Sequence, residues 1–226
     1  MGCGSSTSSL PYEMTIRSDG LERALAVTQR NDAKAPAGVD MAAMREAGRN
    51  NANLSEITFH SSADFTMRDI IGKGGKSVGV QVAFHHDSQQ YFAIKFISEA
   101  RAAAEHWEIQ PLDEMRAMRE VTAARAPFVT PLRGYFEEGG VLALVMAYMS
   151  GGELFSRMAG RRLATAEARF YAAELVLALE AIHALGYIYR DLKPENVLLD
   201  EQGHAHICDM GFAVKAPVAY RRLGCV

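Results

Sequence analysis

Tyr189-Arg190-Asp191-Leu192-Lys193-Pro194-Glu195-Asn196-Val197-Leu198-Leu199-Asp200 is the stretch on which the reading of this chain turns. Before it, apolar residues recur at helical spacing (Phe170, Ala173, Leu177, Leu179, Ile182), with Thr165 as the expected N-cap and Gly186 as the expected stop. After it, beyond a turn, comes Asp209-Met210-Gly211. Asp191, Lys193, Asn196 and Asp209 thus stand at short, ordered spacings. Phosphoryl transfer needs that set of groups. A carboxylate orients a hydroxyl and takes its proton, a cation meets the charge on the moving phosphoryl oxygens, and oxygen ligands hold Mg²⁺. A polar surface turn would have to bring four such groups into register by accident.

The ordered run Tyr-Arg-Asp-Leu-Lys-Pro-Glu-Asn resembles the catalytic loop of eukaryotic protein kinases. Tyr189 in place of the commoner His resembles the AGC serine/threonine group. The resemblance extends over about Phe65 to Val226. It implies an α+β, bilobal fold: a β-rich N-lobe with one regulatory helix (64–147), a hinge (147–150) and a mostly helical C-lobe (151–226). That C-lobe is expected to be incomplete, lacking the substrate-docking loop, the A-P-E segment and the lowest helix. The implied cofactors are ATP and Mg²⁺, with Asp191 as the group that orients the acceptor hydroxyl. Lys193 would meet phosphate charge, and Asn196 and Asp209 would bind the metal.

Upstream, Phe65–Ile71 reads as a strand running into Gly72-Lys73-Gly74-Gly75, and Val78–Phe84 and Tyr91–Ile97 read as two more. Glycines between antiparallel strands let backbone N–H groups approach phosphates. The resemblance places Ile71, Gly72, Lys73, Gly74 and Gly75 around the nucleotide, Val80 and Ala93 over the adenine, and Lys95 on the phosphates. The turn departs from the family pattern: it lacks an aromatic near Lys76 and a glycine near Ser77, and counting back from Lys95 it has one extra residue. A looser phosphate clamp is implied. The next helix, within about Leu112 to Ala124, should supply the carboxylate for Lys95. Glu114 is preferred because Met118 lies one turn on; Glu120 is the reserve. Phe128–Leu132 and Val141–Met146 are expected to close the sheet. Met146 then corresponds to the gatekeeper and Ala147 and Met149 to main-chain adenine contacts. Glu153 would face the ribose and Leu198 would lie under the adenine. Tyr189, Met210, Met118 and Leu132 are expected to stack between the lobes.

His204, His206 and Cys208 alternate on one strand, where the outer pair stand too far apart to share an ion easily. Strand packing is the expectation there. From Asp209 to Val226 no Ser or Thr occurs; Arg222 stands where AGC kinases carry the activating threonine, and Tyr220 is the one hydroxyl.

The first 63 residues are polar and weakly patterned and read as a mostly disordered tether. They open with Met1-Gly2-Cys3-Gly4-Ser5-Ser6, an acceptor pattern for N-myristoylation at Gly2, with Cys3 beside it as a palmitoylation site. Three cysteines without a pairing pattern suit a reducing, cytoplasmic compartment, with attachment to a membrane surface if those residues are acylated. A net charge of −3 gives no argument for a nucleic-acid partner. Two function classes stay open. One is a protein kinase acting on protein substrates, with basic peptides favoured by Glu153 and Glu195. The other is a kinase-like module that binds nucleotide or partners without catalysis.

Overall fold

The computed structural model describes residues 59–72 and 77–216. Gly2, Cys3, Lys73, Gly74, Gly75, Tyr220 and Arg222 lie outside the described residues.

Alternation along one strand explains how the small lobe is built. β1 (Phe65–Gly72), β2 (Gly79–His85), β3 (Gln90–Ser98), β4 (Leu132–Glu138) and β5 (Val141–Ala147) form an antiparallel sheet in the order β1-β2-β3-β5-β4. Side chains of a strand alternate between faces. Phe92 and Ile94 of β3 therefore join Phe59, Phe65, Ala83, Phe136, Ala143 and Val145 on one side. Ala93 and Ile97 join Leu142, Leu144 and Met146 on the other, against the helix α2 (Pro111–Ala123). Lys95 shares their parity, so it too faces α2. A six-residue helix, α1 (Glu99–Ala104), precedes α2; sequence periodicity is too short there to announce it, but Ser98 Oγ caps it by accepting from Arg101 N at 3.3 Å.

The buried positions of α2 are Pro111, Glu114, Met115, Ala117, Met118 and Val121, a stripe at helical spacing. Glu114 lies inside that stripe and Glu120 outside it. Pro at the first turn and the acidic residues Asp113 and Glu114 suit a helix N-terminus.

Two expectations need correction. Phe128–Leu132 does not close the five-stranded sheet; β4 begins at Leu132. Pro127 and Pro131 lack the N–H a ladder needs, and Phe128 has φ +56°. The segment instead joins the large lobe: Val129 bridges Ile207, Thr130 N donates to Ile207 O, and Ile207 N donates to Phe128 O. At the other end of the sheet, Phe59 departs from the disorder expected of the first 63 residues. It is 6% exposed and packs on Phe65, His85 and Phe92.

The large lobe begins with β6 (Gly152–Glu153) and α3 (Leu154–Met158), then α4 (Thr165–Ala184). Thr165 is the first helical residue of α4, not its cap. Ala164 occupies the cap position and has no side-chain acceptor, so Glu167 reaches back to accept Ala164 N at 3.1 Å. Gly186, with φ +78°, does end the helix, its N–H donating to His183 O. The chain continues through β7 (Tyr187–Ile188), β8 (Val197–Leu199), β9 (Ala205–Ile207) and β10 (Val214–Lys215). β6, β8 and β9 form one small sheet and β7 pairs with β10. Met118, Leu132, Tyr189 and Met210 are all buried within one apolar cluster that contains residues of both lobes.

Candidate active site

Because Lys95 faces α2, its ammonium meets the one carboxylate on the buried stripe of that helix. Nζ donates to Glu114 Oε1 at 2.6 Å and to Asp209 Oδ1 of the large lobe at 2.9 Å. The Lys95 and Glu114 side chains are almost wholly buried, while that of Asp209 is 38% exposed. Burial disfavours the ammonium, but the adjacent charges of Glu114 and Asp209 outweigh it and hold Lys95 above the ordinary lysine range. Burial also pushes the Glu114 carboxyl up, against the pull of Lys95. Asp209 goes down: its burial is offset by Lys95 and by the Gly211 amide. Two carboxylates share one ammonium, and the more exposed one keeps its charge more firmly. Glu120 is engaged elsewhere, paired with Lys215.

The catalytic-loop stretch leaves β7 and turns at Arg190, whose φ of +69° is rare for a non-glycine residue. Asp191 Oδ2 then accepts from Lys193 Nζ at 2.8 Å and from Asn196 Nδ2 at 2.7 Å. Asn196 Nδ2 also reaches Asp191 O at 3.0 Å, closing the loop on itself. Two further bonds fix this loop to the segment carrying Asp209. Cys208 N donates to Asn196 O at 3.0 Å, and Tyr189 Oη donates to Cys208 O. The β7–β10 pairing secures the far side, with Ile188 opposite Val214 and Tyr187 opposite Lys215.

Asp209 itself has φ +61°, and its Oδ1 accepts from Gly211 N at 3.0 Å. A Cβ on Gly211 would stand 2.9 Å from Asp209 Oδ1 and 3.1 Å from Glu114 Oε2, so glycine keeps room beside both carboxylates. Asn196 and Asp209 offer hard oxygen donors of the kind Mg²⁺ prefers, and a site with two protein ligands suits a cation that keeps water and phosphate oxygens.

The residues assigned to nucleotide divide between the lobes. Val80 lies directly opposite Lys95, and Ala93 opposite Met146. Ile71 and Gly72 end β1, Ile71 exposed and Gly72 opposite Val80. Ala147 ends β5 with its N–H donated to Pro131 O, and Met149 is buried. Gly151 N donates to Leu199 O at 2.9 Å, and a Cβ there would lie 2.7 Å from Leu199 Cβ. That close approach lets β6 pair with β8, which sets Glu153 opposite Leu198. Burial, then the charge of Glu195, raises the Glu153 carboxyl.

Sequence reading missed the polar cluster behind this hairpin. Glu174, wholly buried on α4, accepts from Ala205 N at 2.8 Å and bonds His204 Nδ1 at 2.5 Å. His206 Nε2 lies 3.2 Å from Asp200 Oδ2, whose partner oxygen accepts from Gln202 N and His204 N. The hydrogen bond that Glu174 accepts from His204 raises His204, and burial raises Glu174. The signal was present in the sequence: Glu174 falls on the same helical stripe as Tyr171, Leu177, Ala178 and Ile182.

Comparison with known proteins agrees with this geometry. The family model described as protein kinase domain matches residues 65–221. The chain is 40% identical to serine/threonine-protein kinase YPK2/YKR2 of Saccharomyces cerevisiae over 149 residues, 66% of this chain and 21% of that protein. It is 38% identical to the cAMP-dependent protein kinase catalytic subunit of Arthrobotrys oligospora over 156 residues, 68% of this chain and 29% of that protein. It is 36% identical to ribosomal protein S6 kinase 2 alpha of Xenopus laevis over 158 residues, 68% of this chain and 21% of that protein. These relatives are AGC-type serine/threonine kinases. The match spans 21% to 29% of their length.

Proposed function

The chain belongs to the protein kinase family, and from that premise we propose that it transfers the terminal phosphoryl group of ATP to serine or threonine hydroxyls of protein substrates. One observation carries the reading: Lys95 of the small lobe touches both Glu114 and Asp209, so a phosphate-binding ammonium and a metal-binding carboxylate meet at the junction of the lobes. Asp191 lies on a loop that two hydrogen bonds tie to Cys208, the residue before Asp209. Asp191 takes the acceptor hydroxyl's proton, and Lys193, already on the same carboxylate, carries positive charge toward the transferred group. Asn196 and Asp209 would hold Mg²⁺, which when bound neutralises charge on the phosphates. Lys95 positions the phosphates, and the main chain at Ala147 and Met149 reads the adenine. Burial, and after it the charge of Glu195, raises the Glu153 carboxyl, and a cationic side chain beside the two carboxylates would favour their charged forms, which supports acceptor peptides with upstream arginines.

The test is phosphoryl transfer from radiolabelled ATP to paired acceptor peptides with and without arginines, run with the parent chain and Asp191→Asn. Removing a general base and acceptor-orienting group is expected to lower transfer by at least about 100-fold while Mg·ATP binding persists. Transfer by Asp191→Asn at the parental rate refutes the assignment. Mg·ATP binding by the parent without any transfer favours the non-catalytic module instead.

A further inference from the structure

The helix that carries Glu114 is held to the large lobe at both ends by ion pairs that the catalytic machinery does not use. Just before α2, Glu108 Oε1 accepts from Arg190 Nη1 at 3.0 Å, a contact between residues 82 positions apart. Near the other end of α2, Glu120 pairs with Lys215 of β10, 95 positions away. Each cation is itself fixed. Arg190 Nε donates to Phe212 O at 2.8 Å, directly after Asp209-Met210-Gly211, and its backbone is in the left-handed region one residue before Asp191. Lys215 Nζ lies 4.1 Å from the centre of the Tyr187 ring, opposite Tyr187 in the β7–β10 pair that leads into the same loop.

Met115, Met118 and Val121 pack α2 into the apolar cluster that spans both lobes. The charged contacts add direction to that packing. Among the described residues, charged contacts cross between the lobes at the part-buried Lys95–Asp209 bond and at the exposed pairs Glu108–Arg190 and Glu120–Lys215. We propose that Glu108 and Glu120 are positioning residues, two struts that clamp α2 onto the large lobe and so hold Glu114 and Lys95 in register with Asp209. Both struts are built from ordinary carboxylates and need no covalent modification to form. The inference rests on the nucleotide reading above for its consequence and on these contacts alone for its geometry.

Both flanking pairs are well exposed, with side-chain exposures of 33% and 69% for the first and 40% and 48% for the second. Salt therefore weakens them, whereas the buried Lys95 centre is screened far less. Binding of a fluorescent ATP analogue with Mg²⁺ to the full chain, titrated at low and high salt, tests the struts. The variants are Glu108→Gln, Glu120→Gln, the two together, and the exchange Glu120→Lys/Lys215→Glu. Loss of both pairs is expected to weaken binding about fivefold at low salt. It should also flatten the salt dependence, while the exchange, which rebuilds the second pair with its charges reversed, binds better than Glu120→Gln. A merely structural role would lower the melting temperature and leave the salt slope intact.

Parental affinity and salt slope in the double variant overturn the proposal. So does failure of the exchange to recover binding while the single variants are impaired. Should the parent bind no nucleotide, the reading of function fails, and the struts are judged by amide exchange without ligand. Faster exchange across 111–123 in the double variant supports them, and unchanged exchange refutes them.

Discussion

His204→Phe isolates a buried charge that the native protein keeps paired. The ring contacts of His204 with Phe128 and Phe170, at 6.0 and 5.7 Å between centroids, can be kept by a phenyl ring, but the bond to Glu174 is lost. Glu174, with no side-chain exposure, then keeps the hydrogen bond from Ala205 N. Breaking a buried pair by removing one partner costs about 3–5 kcal/mol, and the 27% exposure of position 204 argues for the lower end. The variant can escape by protonating Glu174. Against an ordinary carboxyl value of 4.5, that costs about 5 kcal/mol at pH 8 but only about 0.7 kcal/mol at pH 5, at roughly 1.4 kcal/mol per unit.

A carboxyl raised by burial favours the folded state fully below its unfolded value and loses that contribution as pH rises through its folded value. His204→Phe should therefore gain stability as pH falls from 8 to 5. The comparison that isolates the effect is Glu174→Gln/His204→Phe, whose amide still accepts from Ala205 N and does not titrate. The double variant should exceed the single by about 3 kcal/mol at pH 8, or roughly 6–12 °C in melting temperature, and by less than about 1 kcal/mol at pH 5. The fluorescence of Trp107, the one tryptophan and packed against the core, reports unfolding. A gap between the two variants that stays constant from pH 8 to 5 refutes the argument.

Gly211→Ala should strike nucleotide binding harder than stability, because its Cβ meets the Asp209 and Glu114 carboxylates. The expectation is a rise of about tenfold in the Mg·ATP dissociation constant with a melting temperature only a few degrees lower; parental affinity would show that the carboxylates shift freely. Glu167→Gln should remove a pH-dependent brace at the start of α4. The Arg161 guanidinium, more than the Ala164 amide, lowers Glu167 to about 2. The stabilisation is present above pH 4.5 and lost as pH falls through that lowered value. Urea unfolding should show the parent ahead by roughly 1 kcal/mol at pH 6 and the difference closing toward pH 2, whereas a pH-independent gap would assign the effect to packing.

Much of the site was legible because it follows local periodicity. Alternation in β3 sets Lys95 on the helix-facing side, and the apolar stripe of α2 passes through Glu114 and misses Glu120. Asp191, Lys193 and Asn196 are close in the chain, so their mutual bonds need little tertiary information. The unread parts depend on partners far away in sequence. Phe128–Leu132 looks like a strand by composition, yet Pro131 within it and Pro127 before it break the ladder, and its bonds go to Ile207 in the other lobe. Glu174 is hidden inside an apolar stripe, and its reason for being there, Ala205 N, lies 31 residues on. Arg190 is part of a recognisable motif, but nothing near Glu108 in the chain marks it as the partner.

Charge balance connects these contacts to the chemistry. Asp191 is matched by Lys193, which donates to its Oδ2, so that pair brings no surplus of its own. At the lobe junction Lys95 faces both Glu114 and Asp209, which leaves one negative charge in excess when both carboxylates are ionised. Burial first, and the neighbouring Asp209 charge after it, push the Glu114 carboxyl up against the pull of Lys95. A divalent cation on the exposed side of Asp209 would remove the excess, while phosphate oxygens would restore negative charge where Lys95 can meet it. Under the proposed function the centre would take cation and phosphate together, the form in which a magnesium nucleotide arrives.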